Sequence, residues 1–209
     1  TGTLTLRENE LGANIAAQTI AIGTVTVDVP ALADSIASFD GENIVVQLQD
    51  SLRLEGDFAI AQNATTGNIA ILIDDASATI DAGPTRVGLE NGQLAVLIPG
   101  DEDGYALYGS GDLLVDVAGV ASATGTVTVR QNKTATTLIP AQTVTIGSAS
   151  VVVPQLNPGL ESIEGTDVIV QLQDYLRIQG DIAIGQNLTT GNTAVLVSNA
   201  SATLDAGPT

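Results

Sequence analysis

Between residues 44 and 60 the apolar side chains keep to one parity: Ile44, Val46, Leu48, Leu52, Leu54, Phe58 and Ile60. The other parity is polar or small, with Gln47, Gln49, Ser51, Arg53, Glu55, Asp57 and Ala59. A period of two belongs to β-strand and predicts one face turned to a core and one to water. A two-residue hairpin would swap the parity, and no swap occurs. The stretch is therefore one long strand, or two strands joined by an odd-length loop. One strand would exceed ~50 Å at ~3.3 Å per residue, so a bend is expected. Gly56 lies on the apolar parity, where a bend or close packing needs no side chain.

The same phrase is written twice. "VQLQDSLRLEGD" begins at Val46 and "VQLQDYLRIQGD" at Val170, 124 positions on. Residues 17–85 align with 141–209 without a gap, and more than half of the positions are identical. "TGTLTLREN" and "TGTVTVRQN" join the match after one single-residue insertion. Residues 86–209 thus read as one complete repeat, and 1–85 as the latter two thirds of another. A single solenoid coil takes roughly 20–50 residues, so each unit is domain-sized. No Pro-, Ser- or Gly-rich linker separates them, which predicts a continuous rod.

Further alternation marks Leu4 and Leu6, Ile20 and Ile22, and then Val25, Val27 and Val29 after a phase shift at Gly23. Asn91-Gly92 in "LENGQL" is a strong short hairpin signal. "PGDEDGY", "QNATTGN" and "QNLTTGN" read as turns, and "ALADSIASF" as one helical turn at most. The expectation is an all-β, mostly antiparallel fold of long bent strands, forming a β-roll or sandwich-like rod. Its core would be thin and aliphatic, since Phe and Tyr number two and three.

Composition narrows function by exclusion. Six Lys and Arg against a formal net charge of −18 leave no patch for phosphates, so neither nucleic acid nor anionic lipid is an expected partner. No run reaches the ~18 apolar residues of a spanning helix, and outer-membrane barrels carry aromatic girdles that are missing here. Cys, His, Met and Trp are absent. The missing Met is expected of a processed product or a piece of a longer chain.

Few residues offer chemistry. Asp101, Glu102 and Asp103 form an acidic turn that could hold Ca²⁺ through carboxylate and backbone oxygens; the plain alternative is a solvated Asp-Gly turn. Asp74 and Asp75 are a second acidic pair, replaced by Ser198 and Asn199 in the other unit. Asp57 and Asp181 follow glycine on the polar parity, and Asp50 and Asp174 lie on the apolar one. Paired carboxylates could cleave glycosides, but without His, Cys or an aromatic platform the expectation is no enzyme. Asn63, Asn132, Asn187 and Asn199 open N-x-[ST] triplets; Asn63 and Asn187 lie in turns and are candidate glycosylation sites. Arg53 and Arg177 suggest cross-strand ion pairs.

Read in order, "LRLEGDFAI", "VGLENGQLAVLI", "DGYALYGSGDLLV" and "GTVTVRQN" resemble the long tandem repeats of giant bacterial cell-surface and secreted proteins. The resemblance covers nearly the whole chain and transfers no catalytic residue. It implies an extended, non-catalytic β-rich scaffold or stalk outside the cell, as in adhesins, matrix fibres or filaments. Strand continuity between the units and unpaired strand edges separately predict end-to-end stacking with neighbouring copies of itself, and no cofactor beyond candidate Ca²⁺ is expected. The alternative is an adhesin module that binds a glycan or surface ligand.

Overall fold

The computed structural model describes residues 2–22, 24–48, 52–101, 103–173, 175–188 and 190–204, and these contain strands and no helix. Ten strands form one antiparallel sheet. In spatial order they are β1 (Thr3–Asn9), β4 (Ile36–Leu48), β5 (Leu52–Asn63), β6 (Ile69–Ala82), β7 (Thr85–Ile98), β8 (Ala106–Val117), β9 (Ala121–Asn132), β12 (Leu160–Leu172), β13 (Leu176–Asn187) and β14 (Thr193–Leu204). Two short hairpins are inserted into this run: β2 (Gln18–Ile22) with β3 (Val25–Val29), and β10 (Gln142–Ile146) with β11 (Ala149–Val153). The sheet stays open, with β1 and β14 at its edges.

The 44–60 stretch is two strands. Leu48 pairs with Leu52 across a three-residue connection, the odd-length alternative; Asp50, like Asp174, lies outside the described residues. The long strands bend at β-bulges that line up across the sheet. Asn43, Asp75, Asn91, Asp167 and Asn199 all take positive φ there, between 49° and 52°. Asn and Asp tolerate this left-handed backbone because their short polar side chains bond locally. Gly56 (φ 151°) sits on this line with Ala76 against it, so a Cβ would fall 3.0 Å from the Ala76 Cα.

One expected hairpin is absent. Asn91-Gly92 does not reverse the chain: Glu90 pairs with Asp112 and Gln93 with Ser110, so β7 continues along β8 past a bulge. A bulge residue and a two-residue turn displace the apolar parity equally, and the positive φ of Asn91 serves either. The "ALADSIASF" segment likewise enters strand β4 directly at Ile36.

The core also lies on the unexpected side. Pairing carries the aliphatic parity across every strand in one row: Leu4, Gly41, Phe58, Ile73, Leu94, Gly109, Val129, Ile163, Ile184 and Val195. No second layer covers that face among the described residues, and Leu54, Phe39 and Ile163 on it are 39%, 39% and 54% exposed. The buried cluster sits on the opposite face, where Ala59, Leu72, Ala95 and Ala106 lie beneath the β10–β11 hairpin. Alanine lets the hairpin approach closely, which is why the small-residue parity is the covered one.

Candidate functional site

The hairpin leaves the sheet after β9 and re-enters at β12, and its neck is closed by a bridge between Ile139 and Leu156. Asn132, fully buried at the end of β9, fastens it. Its amide donates to the Thr137 and Leu156 carbonyl oxygens at 3.0 and 2.9 Å, and its Oδ1 accepts from the Thr134 N–H and hydroxyl. Asn9 does the same for the β2–β3 insertion, donating to the carbonyls of Ala13 and Ala33 at 2.9 and 2.8 Å. Asn132 opens an N-x-[ST] triplet, and its buried, committed amide leaves no room for a sugar. Sequence reading missed this latch; its only signal was the shared Asn ending "REN" and "RQN".

From that neck β10–β11 lies across β5, β6 and β7, chiefly over β6. Ile146, Ala149, Val151, Val153 and Leu156 meet Ala59, Leu72, Ala95 and Ala106 in one buried cluster. A fully buried Val or Leu side chain contributes ~1.5–3 kcal/mol. Asp74 accepts the Ser150 N–H at 3.0 Å and so holds the far end of the hairpin. At the tip, Gly147 lies against the Asp40 carboxyl group, which Arg7 pairs from the neighbouring strand. The tip thus reaches the root of the β2–β3 insertion, sharing a cleft with Pro30, Leu32 and Ile36. The underside of the hairpin also borders a groove of about 810 Å³ lined by Ala61, Ala70, Leu97 and Val144, and by Asp34 and Asp101.

At offset 124 the same parts recur without their partners. Leu196 on β14 takes the place of Leu72 on β6, and Val27 on β3 that of Val151 on β11. Leu72 and Val151 are fully buried, whereas Leu196 is 62% and Val27 45% exposed. Among the described residues, β13–β14 is therefore a bare receiving face, and β2–β3 a hairpin with no face beneath it.

The expected sites fare differently. Asp101 and Asp103 are exposed on the β7–β8 connection, Glu102 lies outside the described residues, and no group of three or more acidic residues placed to hold a metal occurs among the described residues. Asp57 and Asp181 receive the Asn43 and Asp167 backbone N–H groups at 2.8 Å, which makes them acceptors at the bulges. The Asp167 N–H, then the Asn199 amide, hold the Asp181 carboxyl below the usual range. The Asn91 amide and the Thr126 hydroxyl do the same for Asp112. Asn63 accepts the Thr65 and Thr66 N–H groups at 3.0 Å, and Asn187 that of Thr190, shaping their turns. Among the described residues Arg53 has no cross-strand ion pair: its partner is Glu55, two residues along the same strand, and Arg177 likewise bonds Gln179. Among the described residues the ion pairs between strands are Arg7 with Asp40, Arg86 with Asp81 and Arg130 with Glu164.

No helix among the described residues is long and apolar enough to cross a membrane. Compared with protein-family models, curated proteins and solved structures, the chain matches none.

Proposed function

We propose that this chain is a structural, non-catalytic repeat module of an extracellular filament or giant cell-surface protein, a scaffold or stalk that lengthens by end-to-end stacking of β-sheet units. The observation that carries the reading is the hairpin interface made once inside the chain and left half-made at each end. β2–β3 of one copy suits β13–β14 of the next, as β10–β11 suits β5–β6. Such a contact joins different surfaces and does not close on itself, so it propagates into a fibre. The resemblance to tandem repeats of bacterial surface proteins supports the extracellular setting.

Negative-stain microscopy of the wild-type chain should show rods. Val27→Glu and Leu196→Glu, each at an exposed position, should separately abolish lengthening, and mixing the two variants should give only capped short species. Wild-type particles that stay compact at every concentration would end this reading.

A further inference from the structure

Beyond end-to-end growth, the geometry points to a lateral contact: the aliphatic face of the sheet is covered by the same face of a second copy of this chain. The ten-residue row from Leu4 to Val195 holds no charged residue. Neither does the parallel row Leu52, Ile80, Val87, Val115, Ala123, Val170, Ile178 and Ala202. Leu4, Ile80, Val87, Ile178, Ile184 and Val195 on these rows are all exposed. Phe39 and Phe58 meet edge to face at 6.3 Å among them.

Size and charge identify the occupant. Ten strands at ~4.8 Å spacing and roughly 35 Å of apolar strand give a face of roughly 1,500 Å². A standard interface needs about 800 Å² per partner, and lone soluble proteins rarely expose apolar patches beyond a few hundred Å². In a chain of net charge −18, these rows concentrate apolar surface free of charge. A charged partner would find nothing to pair with there, whereas an identical face is its complement. Two such sheets pack ~10 Å apart with interdigitating side chains. A twofold axis closes the contact at two copies. The hairpins remain on the outside, so lateral pairing does not compete with lengthening and stands or falls separately from it.

The test uses sedimentation of the full chain and of two variants whose circular dichroism matches it. Leu196→Glu, on the hairpin side, should sediment as a dimer. Leu196→Glu combined with Ile163→Lys and Ile184→Lys, cross-strand neighbours on the aliphatic face, should sediment as a monomer. A monomeric Leu196→Glu chain would overturn the proposal, as would a dimer that survives the two lysines. Flotation of the Leu196→Glu chain with phosphatidylcholine vesicles would also overturn it, in favour of lipid. None of these results bears on whether β2–β3 docks on β13–β14.

Discussion

Leu72 and Leu196 occupy the same place in the repeat, and so do the strands that carry them, β6 and β14. Around Leu72 the β10–β11 hairpin supplies Val151, Val153 and Leu156, and water is excluded. Around Leu196 none of the described residues supplies such a cover, and the side chain stands 62% exposed. Matching positions in the repeat take unequal environments because the covering layer comes from an insertion beyond the next three strands. Burial here is a property of the array and not of the strand.

The widest separation between the two positions should come from truncation. Leu72→Ala should cost about 2–5 kcal/mol through lost burial and a residual cavity, while Leu196→Ala, in chains dilute enough to stay unassembled, should stay within about 0.5 kcal/mol. Urea unfolding followed by circular dichroism measures both; equal costs would mean that the hairpin is not seated on β6. Next comes the latch. Asn132→Ala leaves the Leu156 and Thr137 carbonyls without this donor and should cost about 1–3 kcal/mol. Asn9→Ala should free only β2–β3, seen as faster amide exchange there with the unfolding midpoint nearly unchanged. Asp74→Ser, which gives β6 the residue β14 carries at Ser198, removes a charged acceptor from the Ser150 N–H and should cost about 1 kcal/mol.

The smallest effect is acid-dependent. Asp181 has its folded pKa lowered by the Asp167 N–H and the Asn199 amide. Its contribution is therefore present above the unfolded Asp value of ~3.9 and is lost as pH falls through the lower folded value. Wild type should exceed Asp181→Asn slightly at neutral pH and converge with it in acid, as read from denaturant midpoints.

Much of the fold was legible. Parity alone located the long strands, the "TTGN" and "DEDG" segments gave turns, and Gly56 marked a bend. The rest failed for definite physical reasons. Asn91-Gly92 satisfies a bulge and a hairpin with the same positive φ and the same parity shift, so only the pairing of Gln93 with Ser110 separates them. The apolar parity of β5 was expected inward, yet which face is covered depends on the hairpin that returns from residues 142–153. Ala59 belongs to the polar or small parity expected to face water, while in the structure it forms the floor of the core together with Ala95. Asn132 shows in sequence only as the start of an N-x-[ST] triplet, since nothing local in "RQNKT" reveals that Leu156 will come to meet it.

The hairpin's span has a mechanical consequence. Rooted at β9 and touching Asp40 on β4 at its tip, it crosses the seams between β5, β6 and β7. Tension along the order of the sheet pulls each seam apart along its hydrogen bonds. A strip lying over several seams acts as a splint, so neighbouring strands yield together instead of peeling singly.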